Sequence, residues 1–324
     1  MTGSPSPRNR GLRLTAEDRA RLAPRLEAAA ALGAGSSPIA PPEEGAGRGC
    51  LIVAGDCLAV LPRLPPASVD LLVADPPYNL DKDFGALRGR AVGEEEYAAF
   101  TAAWLEACVP LLKPTASAYV CGDWRSGAAL QRELGRRLVI RNRITWEREK
   151  GRAAARNWKS AHEDLWFATV SGDYHFEAGA VRLRRLVRAP YRDGSGAPRD
   201  WSEGPDGKLR DTAPSNLWTD LVVPFWSMPE NTAHPAQKPE KLVAKLVLAS
   251  SRPGDLVLDP FLGSGTTAVV AAKLGRRCVG IEADPAHCLA ALRRLELAES
   301  DRRIQGYEEG VFWDRRASPR RDRH

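Results

Sequence analysis

The sequence predicts an α/β protein organised around a doubly wound, mostly parallel sheet, and three observations carry that expectation. Short apolar runs alternate with helix-period segments through most of the 324 residues. Val69–Ala74 (VDLLVA) is apolar except at Asp70, the pattern of a strand covered on both faces. A glycine turn, Gly263-Ser264-Gly265, joins an apolar strand to a helix, the strand–turn–helix step from which such sheets are built.

In chain order, residues 1–48 come first. An Arg/Ala-rich stretch predicts a helix near Thr15–Leu32, interrupted by Pro24, before a Gly/Ser/Pro-rich linker over Gly33–Gly47. This segment is expected to be an appendage with the composition of a disordered region. Leu51–Ala54 then reads as a strand ending at Gly55-Asp56, with a helix-like CLAVLPRL behind it. Val69–Ala74 stops at Asp75-Pro76-Pro77-Tyr78. Glu94–Leu112 has helical periodicity, and Ala116–Cys121, Asn142–Trp146 and Asp164–Val170 are strand candidates. The alternation resumes with a strand at Leu256–Leu258, a helix at Thr266–Leu274, a strand at Cys278–Ile281 and a helix at Pro285–Leu297. A single domain over 49–300 is expected, with a solvated basic tail over 301–324.

Residues of about 180–230 break the alternation and read as an inserted lobe. From Val181 to Arg210, eight basic and four acidic side chains leave a net +4. Six of the nine tryptophans (Trp146, Trp158, Trp166, Trp201, Trp218, Trp226) fall between 146 and 226.

Bulk properties exclude several classes. No apolar run approaches the roughly 20 residues needed to cross a bilayer, and the first residues lack the apolar core of a secretory signal, so a cytoplasmic protein with no membrane partner is expected. Six scattered cysteines form no C-x-x-C pair and no zinc spacing, which predicts buried free thiols and no metal. A net charge of +6 suits a polyanionic partner.

Two motifs carry chemistry. The glycines at 263 and 265 let the backbone approach a ligand at a helix start, and Glu282 ends the next strand 17 residues beyond Gly265, where a carboxylate accepts from ribose hydroxyls. The third glycine of a dinucleotide loop is missing, because Ala268 stands in its place, and this disfavours a nicotinamide dehydrogenase. In Asp75-Pro76-Pro77-Tyr78, the prolines donate no backbone hydrogen bond, so a carboxylate beside a free carbonyl makes a pair of acceptors for an NH2 group. Tyr78 adds an aromatic face for a base. An exocyclic base amine is a poor nucleophile; two acceptors localise its lone pair and aim it at an electrophilic methyl. Such an amine lies inside the duplex, so the base must be flipped out.

Together these segments resemble the bacterial DNA amino-methyltransferases of the beta class, in which D-P-P-Y precedes the target-recognition region and F-x-G-x-G follows it. The resemblance spans about residues 50–298 and includes His234-Pro235-Ala236-Gln237-Lys238-Pro239, close to the family's H-P-T-Q-K-P, with Ala236 in place of Thr. It implies a circularly permuted, Rossmann-like methyltransferase fold and S-adenosylmethionine as cofactor. Asp259, Phe261, Gly263, Ser264, Gly265 and Thr266 would line the methionine end of the cofactor, with His234 and Lys238 closing over it. Glu282 would take the ribose and Asp56 would approach the adenine moiety; a helix N-cap is the competing role for Asp56. Asp75, Pro76, Pro77 and Tyr78 would hold the flipped base, with Asp75 also bordering the cofactor. An Asp at the first tetrad position accompanies adenine-N6 in this family, whereas Ser is common for cytosine-N4, which stays as the alternative. A catalytically silent DNA-binding module is the alternative from another class.

Double-stranded DNA is the expected partner, with Arg156, Lys159, Arg182, Arg184, Arg185 and Arg188 as its candidate phosphate contacts. Solvated loops and core tryptophans are the bland reading of the same residues. A restriction–modification role would add a cognate endonuclease, and monomer and homodimer are both open.

Overall fold

The computed structural model describes residues 11–43, 49–79, 82–83, 88–89, 92–148, 156–188, 191–204, 207–225, 227–315 and 317. Its strands in chain order are β1 (Cys50–Ala54), β2 (Val69–Ala74), β3 (Lys82–Asp83), β4 (Arg88–Gly89), β5 (Leu112–Gly122), β6 (Val139–Glu147), β7 (His162–Thr169) and β8 (Leu183–Leu186). Then follow β9 (Ser202–Gly204), β10 (Gly207–Thr212), β11 (Leu217–Trp218), β12 (Leu256–Asp259), β13 (Arg277–Glu282), β14 (Tyr307–Glu308) and β15 (Val311–Trp313). The helices are α1 (Ala16–Ala34), α2 (Cys57–Val60), α3 (Glu94–Cys108), α4 (Gly127–Gly135), α5 (Glu240–Ser250), α6 (Thr266–Lys273) and α7 (Pro285–Ser300).

Eight strands form the central sheet in the order β1-β13-β12-β2-β5-β7-β6-β11. Its pairings are parallel except on the two sides of β7. Alternate side chains of each buried strand enter different cores. Leu71 and Val73 pack with α1, α5, α6 and α7, while Val69, Leu72 and Ala74 pack with α2, α3 and α4. Asp70, the polar break in β2, is accounted for: it accepts from Leu256 N–H (2.9 Å) and from the Lys113 ammonium (2.6 Å).

The permuted order closes into one site through strand adjacency. β2 lies beside β12, with Leu72 opposite Leu258, so Asp75 and Asp259 leave neighbouring strands. β1 lies beside β13, with Ala54 opposite Glu282. Strand order reverses between β12 and β2, and the crevice beyond the carboxyl ends there is the place such sheets bind ligands.

Both termini depart from expectation. α1 runs unbroken through Pro24 to Ala34, started by a capping box between Thr15 and Asp18. Leu22 is fully buried against the core, and Arg21 and Arg25 pair with Glu296 of α7. This docking outweighs the cost of an interior proline, roughly 3 kcal/mol. The segment is therefore part of the domain rather than an appendage; residues 1–10 and 44–48 lie outside the described residues. At the other end, β14 and β15 extend a second sheet of order β14-β15-β8-β10-β9, with Phe312 fully buried. The apolar Val311-Phe312-Trp313 triplet makes this a strand, not a solvated tail, while 316 and 318–324 lie outside the described residues.

The inserted region supplies β8–β11. Trp146, Trp166, Trp201 and Trp218 are buried, whereas Trp158 is 93% exposed; Trp226 lies outside the described residues. All six cysteines are free thiols, five of them buried. Among the described residues there is no cluster able to hold a metal ion, and no helix is long and apolar enough to cross a membrane.

Candidate active site

A cleft of about 510 Å³ opens at the carboxyl ends of β1, β13, β12, β2 and β5, within the usual size of small-molecule sites. Asp56, Asp75, Pro76, Pro77, Tyr78, His234, Lys238, Asp259, Phe261, Gly263, Ser264, Thr266 and Glu282 all border it, from segments up to 226 residues apart. Gly265 stands directly behind them as the first turn of α6 begins.

The glycine turn has its shape for steric reasons. Gly263 (φ +55°) and Gly265 (φ +88°) both occupy the left-handed region. A Cβ on Gly263 would sit 3.0 Å from His234 Nε2, and one on Gly265 would sit 2.6 Å from the Ala291 Cβ. The turn is tied down from three sides. Gly263 N–H donates to Glu282 Oε2 (2.7 Å), and Arg294 donates to the Ser264 carbonyl (3.0 Å) and to the Thr266 hydroxyl (3.0 Å). That hydroxyl in turn donates to the Lys238 carbonyl (3.1 Å), so Thr266 ties the loop to the Lys238 segment. Phe261 packs edge-on against Trp104 at 5.4 Å.

Glu282 also accepts from Asp284 N–H (2.8 Å), which orients the carboxylate while leaving lone pairs for further donors. Asp56 is the N-cap of α2, accepting from Leu58 N–H (2.9 Å), and it borders the cleft as well, so both roles proposed for it coexist. The missing hydroxyl at Ala236 is replaced nearby: the Thr232 side chain accepts from His234 N–H (3.1 Å) and donates to Gln237 (2.7 Å).

Asp259 is buried, accepts from Phe261 N–H (2.9 Å), and is pushed by burial to a pKa of about 7. A buried carboxylate at that point fits a cationic amine, and the buried Ser264 hydroxyl, which has no partner, fits a further polar contact. These features suit an amino-acid-bearing nucleoside such as S-adenosylmethionine, whose ribose would fall to Glu282.

At the tetrad, Asp75 Oδ2 accepts from the Lys238 ammonium at 2.6 Å, while Oδ1 is buried and has no partner. The Pro77 carbonyl, expected to be free, accepts from the Tyr97 hydroxyl (3.2 Å). The Pro76 carbonyl receives no donor among the described residues, so the acceptor pair is Asp75 Oδ1 and the Pro76 carbonyl. Burial pushes the Asp75 carboxyl above its ordinary range, with Glu163 adding to the rise and Lys238 opposing it.

Glu163 completes the network, and nothing in the motifs marks it. It is 5% exposed at the start of β7, and it accepts from the Tyr78 hydroxyl (3.2 Å) and from Arg148. Its Oε2 lies 3.4 Å from the Lys238 ammonium. Burial would raise the Glu163 pKa, but Lys238 and Arg148 hold it below the ordinary value. The only hint in the sequence was the polar-aromatic group around Trp146 and His162-Glu163; its pairing with Lys238 follows from β7 lying beside β5.

The candidate DNA residues divide. Arg156, Lys159, Arg182 and Arg188 are exposed. Arg184 is committed to Asp211 through two hydrogen bonds (2.7 and 2.8 Å) and lies over Trp313, holding β8 to β10 and β15. Arg185 is half-buried along a second cavity of about 440 Å³, with its Nε unpartnered. Placement in the lobe's own sheet takes these two out of the set of phosphate contacts.

Known proteins carry the same pattern. A family model described as DNA methylase, of the N6/N4 type, matches residues 69–293. The DNA adenine methyltransferase YhdJ of Escherichia coli (strain K12) is 34% identical over 253 residues, covering 76% of this chain and 83% of that protein. The type II methyltransferase M.HpaI of Haemophilus parainfluenzae is 30% identical over 250 residues, covering 76% and 74%. In structure, the chain is similar to TTHA0409 of Thermus thermophilus, a modification methylase solved with S-adenosyl-L-methionine. The TM-score is 0.51 at 20% identity, covering 83% of this chain and 99% of that one, a likeness of fold.

Proposed function

The chain belongs to the N6/N4 DNA methylase family, and from that premise we propose that it methylates the exocyclic N6 amine of adenine in double-stranded DNA with S-adenosylmethionine as cofactor. The observation that carries the reading is the pair of unsatisfied acceptors, Asp75 Oδ1 and the Pro76 carbonyl, set beside the Tyr78 ring in the cleft that the glycine turn lines. Asp at the first tetrad position and the name of the E. coli relative support adenine as the base.

Bound in this cleft, S-adenosylmethionine supplies a methyl group on a cationic sulfur that leaves as a neutral thioether. The protein holds the acceptor. Tyr78 stacks on the flipped base, and Asp75 and the Pro76 carbonyl each take one hydrogen of its amine. The lone pair is thereby drawn out of the ring and aimed at the methyl carbon. As the nitrogen forms its new bond to carbon, it becomes cationic and sheds a proton to the Asp75 carboxylate, which releases it to solvent. The buried Asp75 carboxyl has a raised pKa, which suits it to take that proton.

The test is mass spectrometry of nucleosides from unmethylated DNA incubated with protein and cofactor. N6-methyladenine is the expected product; N4-methylcytosine would replace the base assignment, and neither product on varied DNA would overturn the reading.

Cofactor affinity is expected to depend on pH through Asp259. Its pKa in the free protein is about 7, and a bound methionine ammonium favours the ionised form. Affinity is therefore full above that pH and falls, by up to about tenfold per unit, as Asp259 protonates below it. Calorimetry between pH 5.5 and 8.5, as an order-of-magnitude window around that value, should show this slope in the wild type and not in Asp259→Asn; a parallel slope in both proteins contradicts the role.

Phosphate contact is assigned to the exposed Arg156, Lys159, Arg182 and Arg188 rather than to Arg184. The double variant Arg182→Ala, Arg188→Ala should weaken binding to all DNA sequences alike. It should also flatten log K against log salt by roughly 0.9 for each phosphate no longer neutralised. An unchanged slope would move the DNA surface elsewhere.

A further inference from the structure

We infer that Glu163 is a positioning residue for methyl transfer, the second seat for the Lys238 ammonium, which moves there when the target amine comes to Asp75. The inference rests on the base-methylation reading above.

Four charges alternate around the tetrad: Asp75, Lys238, Glu163 and Arg148, two negative and two positive. In the free protein the Lys238 ammonium is not centred. It is 2.6 Å from Asp75 Oδ2 and 3.4 Å from Glu163 Oε2, so it is bonded to the first and only near the second. Seated this way it competes with the substrate, because the carboxylate that must draw electron density from an amine hydrogen is already neutralised by a full cation. Lys238 is 9% exposed, so it has no route to water that does not leave a charge uncompensated. Glu163, itself 5% exposed, offers the only other anion within reach among the described residues. A shift of under 1 Å, the order of a side-chain torsional adjustment, would close the longer contact into a hydrogen bond. Two neighbours prepare the seat. Arg148 holds Glu163 from the far side, and the Tyr78 hydroxyl donates to the same Oε2 that faces Lys238. Tyr78 thus links the base-stacking face to the carboxylate that receives the lysine, and Lys238 lies 5.2 Å from the ring centroid.

If Glu163 acts only through Lys238, removing the lysine charge should relieve the defect that removing Glu163 creates. Single-turnover methylation is measured at saturating cofactor on a duplex carrying the mapped site, with cofactor Kd measured in parallel. Glu163→Gln is expected to lose roughly 10–100-fold in rate, in the range for a perturbed catalytic proton or charge partner, with cofactor affinity within a few-fold. Glu163→Asp should recover part of that rate. Adding Lys238→Met to Glu163→Gln should raise the rate above that of Glu163→Gln alone. Additive losses in the double variant, or a wild-type rate in Glu163→Gln, would overturn the inference. The wild-type reaction run alongside separates the two levels: if it gives no methylated base, the proposed function has failed, not the role of Glu163.

Discussion

Asp75→Asn is expected to reduce methyl transfer by at least roughly 10²–10³-fold, the cost of removing one preorganised electrostatic group from a transition state. The substitution keeps the shape of the side chain but can turn an NH2 towards the amine hydrogens it should accept, and towards the Lys238 ammonium that now sits 2.6 Å from Oδ2. Cofactor affinity should change by no more than a few-fold, because the glycine turn, Asp259 and Glu282 reach the cleft from β12 and β13 and not through the tetrad. Single-turnover rates at saturating cofactor, with calorimetric titration of the cofactor, separate these quantities. Near-wild-type turnover would remove Asp75 from the mechanism, and a proportional loss of cofactor affinity would make it a binding residue instead. Lys238 loses its nearer anion in this variant, so a lower melting temperature is expected as well.

Gly265→Ala should have the largest effect on the fold around the site. At φ +88° a side chain costs about 1–2 kcal/mol from the backbone alone. Its Cβ would also meet the Ala291 Cβ at 2.6 Å and Cα at 2.8 Å, a clash with the body of α7 that adds about 1–3 kcal/mol. A destabilisation of roughly 2–5 kcal/mol is expected on those terms, and cofactor affinity should drop more than tenfold as the turn shifts. Gly275→Ala is the matched control: it has a similar φ of +73° with nothing within 4 Å of its Cβ. Denaturant unfolding of both variants isolates the packing contribution. Equal destabilisation of the two would mean that contact with α7 does not set the position of the turn.

The alternation of apolar runs and helical segments was sufficient for the sheet architecture, because strands covered on both faces need near-continuous apolar stretches and β2 and β12 supply them. Where that reading failed, a distant contact had overruled a local signal. Pro24 breaks a helix in isolation but not one whose Leu22 and Ala29 are buried against the domain. Arg184 looks like a free cation in a basic run, yet its charge is taken by Asp211, 27 residues away. The 301–313 segment looks solvated until Phe312 is placed against β8. Polar and charged residues carry little periodic information, so their partners are invisible until the strands are in register.

The sequence by itself determined the chemistry-bearing groups: the tetrad at 75–78, the glycine turn at 263–265, and the carboxylates at 56, 259 and 282, each marked by residue types that local backbone geometry demands. Only the tertiary structure decided which of their atoms are available. It gives the Pro77 carbonyl to Tyr97, leaves Asp75 Oδ1 open, and sets Glu163 beside Lys238 across 75 residues of chain. The reason is physical. A motif reflects constraints on neighbouring residues, whereas the pairing of buried charges is set by which strands lie side by side and by the cost of leaving any of those charges alone.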